Sequence, residues 1–197
     1  MKNILVIKSS LNGAQGQSNQ LVDKLVTRLQ QSHATRVVTR DFAEQPLPHL
    51  THSEMATWMS TSDHEQAQQH DAAGLSDVLI SELKNSDTVV IGMPMYNFGV
   101  PSTFKAWIDR IARAGVTFNY TESGPVGLLD NKTVYVVAAR GGFYAGTSAD
   151  SQTSFLKSVF GLIGLHDVQF IYAEGLNTRT HASQLAQAEQ AIHQINL

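Results

Sequence analysis

The chain alternates short uninterrupted apolar runs with longer stretches in which apolar residues recur every three or four positions. The continuous runs are Ile4-Leu5-Val6-Ile7, Thr88-Val89-Val90-Ile91-Gly92, Thr133 through Ala139, and Val168-Gln169-Phe170-Ile171-Tyr172-Ala173. Runs rich in β-branched residues and without polar alternation predict strands buried on both faces, as in a parallel sheet covered by helices. Arg36-Val37-Val38-Thr39-Arg40 alternates more and predicts an edge strand. Between these runs lie helical stripes: Leu21, Leu25 and Leu29; Leu75, Val78, Leu79 and Leu83; Phe104, Trp107, Ile108 and Ile111; Phe155, Val159, Leu162 and Ile163; and Leu185, Ala188, Ile192 and Ile195. Pro101 suits the first turn of the third helix. Strand and helix alternate along the whole chain. The pattern therefore predicts an α/β, doubly wound, five-stranded parallel sheet in the order 2-1-3-4-5, forming one domain over residues 1–197.

Two segments break this rhythm. Residues 42–70 are polar and rich in Gln, His and Ser, and a loop of that length predicts a functional or partly disordered segment. Residues 114–131 hold Gly115 through Tyr120 and then the turn-like Ser123-Gly124-Pro125. Composition narrows the chemistry. Lys+Arg 14 against Asp+Glu 17 leaves a net charge of −3, which speaks against binding driven by nucleic-acid phosphates. The absence of cysteine excludes disulfides, iron–sulfur clusters, thiolate zinc sites and cysteine nucleophiles. The apolar run before Lys8 is too short for an export signal, and no stretch approaches the roughly 20 apolar residues of a membrane span. A cytoplasmic protein without a membrane partner is expected. His49-x-x-His52 is not an HExxH motif, so no metal is expected, and no G-x-S-x-G elbow marks a hydrolase.

Ligands of open parallel sheets bind beyond the carboxyl ends of the strands at the topological switch, here the loops after the first, third and fourth strands. The first loop, Ser9 through Asn19, is rich in hydroxyls and amides and runs into a helix N-terminus. Two readings stand for it: Ser18 or Asn19 caps the helix, or the free amides hold a phosphate. It contains neither GxGxxG nor GKS/GKT. The third-strand loop, Met93-Pro94-Met95-Tyr96-Asn97-Phe98-Gly99-Val100-Pro101, offers aromatic, amide and methionine surface suited to a flat apolar ligand or a partner. The fourth, Arg140-Gly141-Gly142-Phe143-Tyr144, lets backbone approach a ligand closely, with Arg140 adding charge or joining a structural ion pair.

These loops carry a family resemblance. Lys8-Ser9-Ser10, Gln17-Ser18-Asn19-Gln20-Leu21, Pro94-Met95-Tyr96-Asn97-Phe98, Ala112 through Phe118, Tyr120-Thr121-Glu122, Arg140-Gly141-Gly142 and Ala173-Glu174-Gly175 resemble the FMN-dependent NADH-azoreductase and NAD(P)H:quinone oxidoreductase family, the type 1 azoreductases. The resemblance implies a flavodoxin-like fold and a ping-pong oxidoreductase. NADH or NADPH would reduce bound FMN, which would then reduce quinones or aromatic azo compounds. It implies FMN phosphate at Ser10, Gly16, Gln17 and Ser18, the ring along Met95, Tyr96, Asn97 and Phe98, and its pyrimidine edge at Ala139, Arg140, Gly141 and Gly142. The amides of Asn97, Gly141 and Gly142 are expected to stabilise negative charge on the reduced ring.

Phe98, Phe118, Tyr120 and Phe160 are candidates either for the walls of a substrate slot or for core. Tyr144, and less directly Tyr120, is a candidate hydrogen-bond donor to the acceptor. Residues 42–70, with Thr57-Trp58-Met59, are expected to shape substrate choice. The family often has serine where this chain has Gly16 and Ala139, and each loss is expected to weaken FMN binding by about 1 kcal/mol. A homodimer with each flavin near the interface is also implied. The alternative, a non-enzymatic flavodoxin-type electron carrier, fits the near-neutral charge poorly, because such carriers tend to be strongly acidic.

Overall fold

A computed structural model describes residues 1–58 and 70–196. The strands β1 (Lys2–Lys8), β2 (Thr35–Asp41), β3 (Thr88–Pro94), β6 (Thr133–Ala139) and β7 (Asp167–Ala173) form one parallel sheet in the order β2-β1-β3-β6-β7. Counted along this sheet alone, the order is the expected 2-1-3-4-5. The helices are α1 (Gln17–Gln30), α2 (His52–Thr57), α3 (His70–Lys84), α4 (Ser102–Ile111), α5 (Ser151–Leu162) and α6 (His181–His193).

Because side chains alternate along a strand, each central strand feeds two cores. Leu5, Ile7, Val89, Ile91, Val134 and Val136 meet α3, α4 and α5 on one face. Ile4, Val6, Val90, Val137 and Ile171 meet α1 and α6 on the other. This two-sided burial is the physical origin of the uninterrupted apolar runs. β2, at the edge, is only partly covered.

Three expectations need correction. In α5 the residues that face the sheet are Leu156, Phe160 and Ile163, whereas Phe155, Val159 and Leu162 are only partly buried. This helix is apolar on adjoining stripes: of the expected Phe155, Val159, Leu162 and Ile163, only Ile163 is fully buried, and the other three pack at the margin of the core. Val78 in α3 is exposed rather than core. Residues 114–131 contain an antiparallel hairpin, β4 (Phe118–Thr121) with β5 (Gly124–Gly127), in register Thr121↔Gly124.

The long 42–70 segment also has more structure than a plain loop. Thr51 caps α2 by accepting the Glu54 amide at 3.2 Å. Glu54 is buried and forms a bidentate pair with the fully buried Arg110 of α4, with Nε–Oε1 2.7 Å and Nη2–Oε2 2.6 Å. Arg110 also donates to the Pro48 carbonyl at 2.6 Å, which fastens the Pro46–Trp58 stretch to α4. Met59 and the rest of 59–69 lie outside the described residues.

Candidate functional site

The loops after β1, β3 and β6 meet at the carboxyl edge of the sheet. In the first, Ser9 Oγ donates to the Gly92 carbonyl at 2.6 Å and is committed to holding β1 against β3. A 3-10 turn at Gly13–Gln15 leads to Gly16, which is the N-cap of α1 and makes no side-chain cap. Neither Ser18 nor Asn19 therefore caps the helix. The amides of Gln17, Ser18 and Asn19 have no intrahelical acceptor, as in the first turn of any α-helix. Ser18 Oγ is buried and has no hydrogen-bond partner. An orphaned buried hydroxyl beside free amides at the positive end of a helix suits a phosphate, and this arrangement fits FMN. Gly16 is also sterically required as the loop now stands: a Cβ there would lie 2.2 Å from Ser10 Oγ. The Ser10 hydroxyl thus occupies the space next to the helix start that a serine at position 16 would need.

The second loop is a tight turn. Tyr96 and Gly99 exchange backbone hydrogen bonds of 3.1 and 2.9 Å, with Asn97 (φ 49°) and Phe98 (φ 64°) both left-handed between them. Two positive φ values define the turn type that fits a right-twisted hairpin, and Asn tolerates it. Phe does so at a cost of about 1–2 kcal/mol, so its position is imposed by its surroundings. The Tyr96 hydroxyl accepts the Leu11 amide at 3.1 Å and lies 3.4 Å from Ser10 Oγ, which ties this loop to the phosphate-type loop. Met95 is half-buried and donates its amide to the Ala139 carbonyl at 3.1 Å.

In the third loop the N–H groups of Gly141 and Gly142, like that of Asn97, have no protein acceptor among the described residues. Tyr144 packs edge-on against Phe98 with ring centroids 5.7 Å apart. Its hydroxyl makes no hydrogen bond among the described residues, and a Cβ on Gly142 would lie 2.8 Å from it. The Arg140 side chain is 0% exposed and points into the protein. Its guanidinium pairs with Asp150 (3.0 Å) and Glu174 (3.1 Å) and lies over the Tyr172 ring. Of the two roles open to Arg140, the structural ion pair is the one observed. Only its backbone remains at the ligand edge. Burial by itself would raise the Asp150 carboxyl, but hydrogen bonds from the Thr153 hydroxyl and amide and from Arg140 outweigh it and hold the group below its ordinary range.

The four aromatic candidates divide. Phe98 is 54% and Tyr120 76% exposed. Phe118 and Phe160 are buried in the core on the α3–α5 side, Phe160 because its stripe of α5 faces the sheet. Beside Phe98 an open cleft of about 480 Å³ is lined by His49, Val100, Lys105, Ser151 and Phe155. His49 reaches this cleft because Arg110 grips the neighbouring Pro48. Among the described residues, no three His, Asp or Glu side chains are grouped so as to hold a metal, and no helix is long and apolar enough to cross a membrane.

The sequence reading gave no role to three residues that brace the site, although Glu174 stands in one of the blocks that carry the resemblance. Glu174 Oε1 accepts the amides of Tyr144 (2.9 Å) and Ala145 (2.8 Å) as well as Arg140. The Asn177 amide donates to the Gly141 carbonyl at 3.0 Å. Gln152 ties α5 to the β3 loop. The signal available was position: Glu174 and Asn177 follow β7 directly, on the same edge as the other loops.

An open parallel sheet in this order, with an unpartnered buried hydroxyl at a helix N-terminus, a strained aromatic turn and a glycine pair at its carboxyl edge, defines a protein of flavodoxin-like fold. Residues 2–195 match the family described as having a flavodoxin-like fold. An FMN-dependent NADH:quinone oxidoreductase of Pseudoalteromonas atlantica is 55% identical over 90% of this chain and 88% of its own. One from Cellvibrio japonicus is 46% identical over 98% of both chains. A crystal structure of an azoreductase from Bacillus anthracis superposes with a TM-score of 0.85, at 25% identity over 99% of this chain and 100% of the other. The chain belongs to the FMN-dependent NADH:quinone oxidoreductase family. Its relatives are enzymes, which favours the enzymatic reading over an electron carrier.

Proposed function

We propose that this chain is an oxidoreductase that carries electrons from NADH or NADPH to quinones and aromatic azo compounds through bound FMN, in a ping-pong cycle. It would act in the cytoplasm, as a single domain and as a homodimer. The observation that carries the reading is the buried, partnerless Ser18 hydroxyl at the start of α1. When bound, FMN supplies the two-electron carrier between nicotinamide and acceptor.

The residues divide the remaining work. Ser10, Gln17, Ser18 and the first amides of α1 hold the phosphate. Met95 through Phe98 and Ala139 through Gly142 flank the ring, and the free amides of Asn97, Gly141 and Gly142 stabilise negative charge on it without reorganisation. Phe98 and Tyr120 wall the acceptor slot. The unpartnered Tyr144 hydroxyl donates a hydrogen bond to an acceptor oxygen. No protein nucleophile is required, in keeping with a chain that has no cysteine. The dimer is supported by the partly covered stripe Phe155, Val159 and Leu162 on α5 and by the exposed Phe98 and Tyr120, apolar surface that a second copy would cover.

The direct test is colour and turnover. The purified protein is expected to be yellow, to bleach anaerobically with NADH and to recolour on adding a quinone. A colourless protein that takes up no added FMN would refute the reading.

A further inference from the structure

Gln152 stands in the first turn of α5, fully buried, where an apolar side chain would be the ordinary choice. Its Nε2 donates to two carbonyls, Pro94 at 3.0 Å and Gly99 at 3.2 Å, at either end of the strained turn. Its neighbour Ser151 donates Oγ to the Phe98 carbonyl at 2.5 Å. The start of α5 therefore grips the β3 loop before, within and after its left-handed residues.

The Gln152 Oε1 in turn accepts Arg140 Nε at 3.4 Å. Arg140 Nη2 donates to Asp150 and to Thr153 Oγ1, both at 3.0 Å, and Nη1 donates to Glu174, which also receives the Tyr144 and Ala145 amides. One buried network thus holds both loops that carry the Phe98–Tyr144 pair. Apolar residues of similar volume often stabilise a core as well as buried charges do, so stability alone does not explain a network of this kind. A network whose members are all satisfied does fix direction and distance. The backbone of Phe98, left-handed against its own preference, needs such a fixture.

We infer that Gln152, oriented by Arg140, is a positioning residue for the acceptor slot: it holds the Asn97–Phe98 turn at a set distance from the Gly141–Tyr144 loop and so limits the width of aromatic acceptor admitted. The inference rests on the functional reading above in placing the acceptor between these loops. Its mechanical half stands without flavin.

The test is Gln152→Met, close in length and without hydrogen bonds, beside Leu156→Ala, which removes core packing from the same helix but none of these hydrogen bonds. In flavin-free protein, amide exchange at Tyr96 and Gly99 is expected to rise about tenfold in Gln152→Met, the equivalent of one lost hydrogen bond, and not in Leu156→Ala. In FMN-loaded protein, the ratio of kcat/KM for a naphthoquinone to that for benzoquinone should shift about tenfold in Gln152→Met, with an altered visible circular dichroism of the flavin. Leu156→Ala should lower Tm while leaving that ratio and spectrum as in the wild type.

Unchanged exchange at Tyr96 and Gly99 overturns the inference whether or not FMN binds. A ratio within about twofold of wild type in an enzyme that turns over also overturns it, whatever happens to Tm. A wild-type protein that binds no FMN would instead sink the functional reading and leave the exchange result to stand alone. Should Gln152→Met fail to fold, Gln152→Glu keeps the length and the Arg140 contact but loses both donors, and the same two outcomes decide.

Discussion

Glu54→Ala tests whether the 42–58 segment is anchored or merely lies against the protein. Arg110 is 0% exposed and takes both carboxylate oxygens of Glu54 at 2.7 and 2.6 Å. Removing the carboxylate leaves a buried guanidinium without a counter-charge, a loss that runs to about 3–5 kcal/mol. Arg110 keeps the carbonyls of Pro48 and Ala106, and α2 can open to admit water, which argues for the lower end, about 3 kcal/mol. For a chain of this length that corresponds to a fall in Tm of about 6–12 °C. It is also a large share of the roughly 5–15 kcal/mol that holds an ordinary domain folded.

The counterpart is Glu54→Leu with Arg110→Met, which replaces the pair by apolar volume. The double variant should regain most of the loss, short only of the donors that Pro48 and Ala106 no longer receive. Urea unfolding followed by circular dichroism measures both. A loss below about 1 kcal/mol in Glu54→Ala, the value of an exposed ion pair, would refute the reasoning. So would a double variant no more stable than the single one.

Further outcomes follow from the same geometry. Ser18→Ala should leave the stability of flavin-free protein unchanged or slightly raised, because its hydroxyl has no protein partner, yet weaken FMN binding about tenfold in a fluorescence-quenching titration. Equal losses of both would mean that the hydroxyl is structural. Tyr144→Phe should likewise spare stability while slowing reoxidation by quinone about tenfold in stopped-flow measurements, and unchanged reoxidation removes the residue from the mechanism. The Asp150 carboxyl is held below its ordinary value of 3.8, so its stabilisation is complete above that value and is lost as the pH falls through and below it. Asp150→Asn should therefore flatten the acid limb of the stability profile below about pH 4, and an unaltered limb would show that Asp150 does not contribute to it.

What could be read in the sequence was what is local or repeated. Ile4 through Ile7 and Thr133 through Ala139 announce two-faced burial within a single run, so strand order and the ligand edge followed from them. The hydroxyl- and amide-rich loop was equally visible, since Ser10 through Ser18 lie in one contiguous stretch before a helix. The hairpin was not, because Gly124-Pro125-Val126-Gly127 carries almost no strand preference and acquires its partner from Phe118–Thr121. In α5, Phe155 and Leu156 fit adjoining stripes, and only the angle at which the helix meets the sheet decides that Leu156 and Phe160 go inward.

The bracing of the site was hidden for a further reason. Arg140 meets Gln152 12 residues away and Glu174 34 residues away, and Arg110 meets Glu54 56 residues away. No periodicity links such positions; the parallel crossovers bring them together. The residue type left Arg140 two roles, added charge at a ligand or a structural ion pair, and only the family resemblance places it at the pyrimidine edge of the flavin. Burial gives its side chain the ion-pair role and leaves its backbone at that edge. A cation enclosed by two carboxylates and an amide cannot reach a ligand, but it can decide where the ligand's loops stand. On the proposal that Gln152 and Arg140 set the spacing of these loops, specificity depends on residues that line no slot, and comparing only the lining residues of two relatives would overlook them.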